Sequence, residues 1–114
     1  MKRHGRKAIS TRKAIRQVTA ALRELAPPED GLKVRVHISK AVPPDRMGDC
    51  AKHKDYYLIR LCATVVETQP DAVWMLLAHE WAHALTWNHS RKMHGDTWGI
   101  ALAKVWRIIT GEIE

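Results

Sequence analysis

The sequence predicts a single α+β domain, and three observations support this class. The chain has 114 residues, which is the usual size of one domain. Apolar residues recur at helical spacing near its start, alternate with polar residues in its middle, and return to helical spacing in its last third. Because the strand-like and helix-like segments are segregated, we expect a small antiparallel or mixed sheet packed against helices.

The first part of the chain predicts a basic arm followed by an amphipathic helix. Segment 1–9 is basic and is interpreted as a flexible arm, and residues 10–114 then form the domain. Ser10 or Thr11 can cap the helix, and a pair of prolines ends it. The apolar stripe of this helix consists of Ile15, Val18, Leu22 and Leu25.

The middle of the chain predicts strands. Apolar and polar residues alternate from residue 32 to 39, which indicates a strand with one buried face. Segment 56–62 is rich in aromatic and aliphatic residues and predicts a second strand. A short stretch at 47–51 could pair with it through the turn at 52–55. The second strand could lie at a sheet edge and align a peptide by main-chain pairing, although an ordinary sheet strand is an equally good interpretation.

Two helices are predicted in the last third. The first begins near Pro70, a favoured first-turn residue, and runs to about Asn88. It is apolar around much of its circumference, so we expect it to be buried. After a polar loop, the second helix begins at Asp96 or Thr97 and ends at Gly111.

Charge and cysteine usage limit the partners and the compartment. The formal net charge is +7 at pH 7, and no acidic residue precedes Glu24. This basic start suggests a nucleic-acid partner, although a solvated basic surface explains it equally well. Cys50 and Cys62 form no CxxC motif. They could form a disulfide if adjacent strands bring them together, but we favour two buried free thiols in a reducing compartment. No apolar run could span a bilayer and no secretory signal is present, so we expect a cytoplasmic protein without a membrane partner.

The predicted buried helix contains His79-Glu80-Trp81-Ala82-His83, an H-E-x-x-H motif. Residues four apart lie on one helix face, so His79 and His83 can converge on one ion. Zinc suits them because it accepts imidazole nitrogen tetrahedrally and leaves a position for water. Glu80 lies about 100° round the helix, where it can act as a general base toward that water. Hydrogen-bonded core histidines are the alternative interpretation.

Two further histidines compete for the place of third ligand. His89 fits the metzincin spacing, but Thr86 stands where that motif has the glycine that permits a sharp turn. If the helix continues, His89 lies about 240° round from His83 and faces away. His94 is followed by Gly95 in a loop that could return over the helix end, so we favour His94. Glu112 is a weaker candidate beyond the last helix.

The stretch 79–99 resembles the SprT-like metalloprotease family, which includes the Spartan DNA–protein crosslink proteases. The matching residues are His79, Glu80 and His83 together with the His94-Gly95-x-x-Trp98 element. The resemblance implies a zincin-like fold, zinc as cofactor and His94 as the third ligand. Many family members also carry a C-terminal zinc ribbon; without it, DNA would have to contact the basic arm or first helix.

The combined interpretation is a zinc metallopeptidase that hydrolyses peptide bonds in a protein or peptide substrate, with DNA-associated proteins as one substrate class. Tyr56, Tyr57, Arg91 and Lys92 are candidates to stabilise the oxyanion. One alternative is a nucleic-acid-binding module with a structural zinc, which would require a fourth protein ligand such as Cys50, Cys62 or His89. Another is a catalytically inactive interaction domain that keeps the zincin fold, which zinc stoichiometry would distinguish.

Overall fold

The computed structural model describes residues 3–89 and 94–111, with side chains from residue 11 onward. Within these ranges it has four α-helices and a three-stranded sheet, which confirms the α+β class. The elements in chain order are α1 (Arg3–Leu25), β1 (Lys33–Ser39), β2 (Gly48–Lys52), β3 (Tyr56–Cys62), α2 (Ala63–Thr68), the 3-10 turn Pro70–Ala72, α3 (Val73–Thr86) and α4 (Asp96–Ile109). No helix in the described ranges is long and apolar enough to cross a membrane.

The sheet is mixed, with the strand order β1-β3-β2. β3 pairs with β1 in parallel and with β2 antiparallel. The prediction that this strand could form a sheet edge is therefore wrong. Both of its sides are occupied because the chain passes from β1 to the far edge before it returns to the centre. Tyr57, Ile59 and Leu61 consequently lie in the core.

Helix α3 is the central element of the fold, because it packs against β2 and β3 and also against α4. Trp81, in the middle of α3, is fully buried, and its indole N–H donates to the carbonyl of Ala26 at 2.8 Å. The guanidinium of Arg23 donates to the carbonyl of Val34 at 2.9 Å. These two bonds tie the end of α1 to the central helix and to the sheet.

Three helix predictions need correction. Helix α1 begins at Arg3 instead of at Ser10 or Thr11. Segment 3–10 contains no residue that ends a helix, and Gly5 disfavours the helix only mildly. The flexibility of segment 1–9 stays a prediction, and Met1 and Lys2 lie outside the described residues. Helix α2 was not predicted, since its six residues are too few to show a periodic pattern. The predicted buried helix divides into a 3-10 turn followed by α3.

Gly48, the first residue of β2, allows the edge strand to approach the rest of the core. A Cβ atom there would lie 2.7 Å from the carbonyl oxygen of Arg60 and 3.1 Å from a methyl carbon of Leu76. Leu76 belongs to α3, so the missing side chain lets β2 pack directly against this helix. This close approach places β2 beside the helix that carries the H-E-x-x-H motif.

Candidate metal centre

Helix α3 positions the first two candidate ligands. It contains neither glycine nor proline between Val73 and Thr86, and no side chain caps its N-terminus. Its stability therefore comes from the burial of most of its residues. His79 and His83 lie one turn apart on the same face, and both side chains are half-buried.

His94, which lies two residues before the start of α4, completes the cluster. Its Nε2 atom lies 3.3 Å from Nε2 of His79 and 3.2 Å from Nε2 of His83. The Nε2 atoms of His79 and His83 are 3.2 Å apart. The three nitrogens thus form a nearly equilateral triangle. Zinc–imidazole bonds of roughly 2.0–2.1 Å in a tetrahedron would separate neighbouring nitrogens by about 3.3–3.4 Å, so the three residues fit a zinc ion.

Trp98, in the first turn of α4, packs against all three imidazoles. Its ring centroid lies 5.0 Å from that of His79, 5.6 Å from that of His83 and 4.7 Å from that of His94. Its indole N–H also donates to the main-chain carbonyl of His79 at 3.4 Å. In the sequence Trp98 belongs to the family element, whereas in the structure its ring packs against all three imidazoles of the cluster. The sequence signal for this role is the short spacing between Trp98 and His94, which lies just before α4.

Burial sets the charge of the two helical histidines. It lowers the pKa of His79, with a smaller contribution from the neighbouring His94. Burial, followed by the charges of His79 and His94, lowers the pKa of His83 to about 4. Both imidazoles are therefore neutral at pH 7, which is the form that binds a metal.

Glu80 lies beside the cluster and is only 6% exposed. Burial, and then the charge of Asp49, raises the pKa of its carboxyl group to about 7. Asp49 itself accepts two hydrogen bonds from the guanidinium of Arg60, at 2.9 and 2.5 Å, and this pairing lowers its pKa. Cys50 lies close enough for the charge of Glu80 to act on it, but burial is the main cause that raises the pKa of its thiol to about 12. Cys50 and Cys62 are both free thiols, as predicted.

A model of the SprT-like family matches residues 13–111, which is nearly the whole chain. The chain belongs to the SprT-like family. Searches of curated proteins and of solved structures gave no significant match. Membership is thus established from the family model, and the histidine cluster gives this SprT-like chain a group of side chains that could hold a metal ion.

The other candidate ligand of this SprT-like chain lies elsewhere. His89 pairs through Nε2 with a carboxylate oxygen of Glu29. Helix α3 makes no sharp turn after His83, and the hydroxyl of Thr86 donates back to the carbonyl of Ala82 at 2.8 Å. Without a glycine at position 86 the chain does not turn back after His83, and His94 instead of His89 joins the cluster.

The two tyrosines among the oxyanion candidates make their described contacts away from the histidine cluster. Tyr57 is fully buried and its hydroxyl donates to Asp30 at 2.6 Å, so it is already engaged. Tyr56 stacks on His53, at a centroid distance of 4.8 Å. Arg91 and Lys92 lie outside the described residues, as does Glu112.

Proposed function

We propose that this chain is a zinc-dependent metallopeptidase with a zincin-like active site. The observation that carries the proposal is the triangle of Nε2 atoms from His79, His83 and His94. Among the described residues, no fourth His, Cys, Asp or Glu joins this group. A structural zinc site is normally closed by four protein ligands, whereas a catalytic site keeps one position for water. The arrangement therefore favours catalysis over the structural-zinc alternative.

The proposed reaction divides its tasks among a few side chains. When bound, zinc would supply Lewis acidity and make a water molecule more acidic. Glu80 would take a proton from the attacking water and deliver it to the amine nitrogen as the peptide bond breaks, so that it ends the cycle ionised as it began. Trp98 would keep the three imidazole rings in place through the contacts described above. The exposed edge of β2, which packs against α3, offers main-chain groups for pairing with an extended peptide.

Zinc content and peptidase activity of matched variants test this proposal. We expect one zinc per wild-type chain by elemental analysis, and cleavage of an unfolded protein substrate. Glu80→Gln should keep the zinc and lose cleavage, since it removes the base without removing a ligand. His94→Ala should lose both, and His89→Ala is the matched control because His89 pairs with Glu29 away from the cluster.

Three results would refute the metallopeptidase. Cleavage that persists in Glu80→Gln would exclude the proposed base. A wild-type chain without zinc would favour the inactive interaction domain instead. Zinc with no cleavage under any condition would favour the structural-zinc alternative.

A second candidate function is nucleic-acid binding, and a basic groove between α1 and β1 favours it. The groove has a volume of about 570 Å³. Its cationic lining residues are Arg12, Arg16, Lys40 and Arg60, and His37 also lines it. Glu67 partly offsets this charge, because it lies 3.5 Å from Arg12, and Asp49 pairs with Arg60. Phosphates could neutralise the remaining cations, so we propose that DNA-bound proteins are a substrate class for the peptidase.

Fluorescence anisotropy with a labelled oligonucleotide tests the groove. Arg16→Glu should weaken binding. It should also make the slope of log affinity against log salt concentration shallower by about one unit per lost phosphate contact. Lys104→Glu is the matched control, since it makes the same charge change at an exposed position on α4 outside this groove. Equal effects of the two variants would show that only net charge matters.

A further inference from the structure

A small cavity opens directly beside the proposed catalytic residues. Glu80 and His79 form one side of it, and its volume is about 360 Å³. The remainder of its wall consists of Arg46, Met47, Ala72, Met75 and Leu76. Four of these five side chains are apolar, and neither metal binding nor proton transfer requires any of them. The volume lies near the lower end of the roughly 300–1,000 Å³ that is usual for small-ligand pockets.

Two methionines line this cavity from separate elements, α3 and the loop before β2. Met75 is 47% exposed, a large apolar side chain left open to solvent on α3. Met47 has φ 67°, a left-handed conformation in which glycine or asparagine is usual. Its backbone is held there by hydrogen bonds, since its N–H donates to Pro43 and its carbonyl accepts from Cys62 at 2.7 Å. The turn therefore holds Met47 at the wall of the cavity.

We propose that this cavity binds an apolar side chain of the peptide substrate next to the scissile bond, so that the enzyme prefers peptides with Leu, Met or Phe at that position. The inference rests on the proposed metallopeptidase, because only attack beside Glu80 and His79 places the scissile bond at the cavity mouth. A charged side chain is disfavoured in such a cavity, since burial would remove its hydration.

Arg46 at the cavity further limits the choice of occupant. Its side chain is 62% exposed and repels lysine or arginine from the cavity. It also lies 3.8 Å from Asp49, so part of its charge is already balanced. An acidic occupant would therefore gain less from Arg46 than it would lose by entering an apolar cavity.

Cleavage of a peptide library by the zinc-loaded full chain tests this inference. The wild type should cleave peptides with Leu, Met or Phe beside the scissile bond with a kcat/KM about 10-fold or more above that for serine or lysine. Met75→Lys should remove most of this preference. Leu25→Lys is a closely matched control: Leu25 is 48% exposed at the end of α1, away from the cavity, and the charge change is the same.

A binding measurement separates recognition from cleavage. Glu80→Gln protein should bind the apolar peptides more tightly than the serine peptides by fluorescence anisotropy, and adding Met75→Lys should abolish the difference. The inference would be overturned, and the peptidase left intact, if the wild type cleaved all the peptides equally well. The same holds if Met75→Lys and Leu25→Lys altered the preference for apolar peptides equally. If the wild type cleaves none of the peptides, the proposed peptidase fails and the inference fails with it.

Discussion

Replacement of Trp98 by leucine tests whether the metal centre depends on a side chain that does not bind the metal. Trp98 makes ring contacts with His79, His83 and His94 at centroid distances of 5.0, 5.6 and 4.7 Å. Aromatic pairs of this kind contribute about 0.5–1.5 kcal/mol each. Without these contacts, zinc binding must itself order the three imidazoles. Three pairs at the lower end of that range set this cost at about 1.5 kcal/mol, which corresponds to about a 10-fold change in zinc affinity. We therefore expect a loss of roughly 10–100-fold, the range usual for groups that orient metal ligands.

Competition with a chromophoric zinc chelator measures this affinity directly. Trp106→Leu is the matched control because Trp106 is also half-buried on α4, whereas its ring makes none of the described contacts with the three histidines. Thermal unfolding of the zinc-free proteins should show comparable losses of stability in the two variants. Wild-type zinc affinity in Trp98→Leu, or an equal loss in Trp106→Leu, would refute the orienting role of Trp98.

Three further predictions concern stability. The hydrogen bond from Tyr57 lowers the pKa of Asp30, so the ionised carboxylate stabilises the fold above about pH 4 and this contribution is lost as the pH falls through the lowered value. Asp30→Asn should therefore lower the free energy of unfolding, measured by urea titration, by about 1 kcal/mol at pH 7. This difference from wild type should shrink at low pH. A difference independent of pH would contradict a stabilising role of the ionised Asp30 carboxylate. Gly48→Ala should destabilise the fold by about 1–3 kcal/mol, because its Cβ would lie 2.7 Å from the main-chain oxygen of Arg60, and an unchanged urea midpoint would show that β2 can shift. Removing zinc with a chelator should lower Tm in the wild type but not in His94→Ala, since ligand binding stabilises only the folded chain that binds it.

The spacing of the helical histidines is a local property, and the sequence was sufficient to predict it. His79 and His83 lie on one face of any regular helix, and the apolar composition of 73–86 makes that helix a buried one. The choice of His94 over His89 also followed partly from local chemistry, because a β-branched Thr86 does not favour a sharp turn. The distances among the three nitrogens were not predictable, since they depend on how α4 packs against α3.

The order of the strands in the sheet could not be predicted from the sequence. The apolar and polar patterns predicted the strands and the antiparallel pairing of β2 with β3, which are consequences of alternation and of a short connection. They did not predict that β1 would pair with β3 in parallel, because that pairing joins residues distant in sequence. The side of β3 that meets β1 is therefore decided by tertiary packing.

The residues around the proposed base show the same division. Composition and periodicity determined that this chain has a buried helix with two histidines and a glutamate, because these properties need only neighbours along the chain. The tertiary structure alone decided that Met47 and Met75, 28 positions apart in sequence, line one cavity beside Glu80. It also decided that Trp98 packs against the imidazole of His94 and that His89 pairs with Glu29. The physical reason is that such contacts join separate elements, and their geometry is fixed only when the whole core has packed.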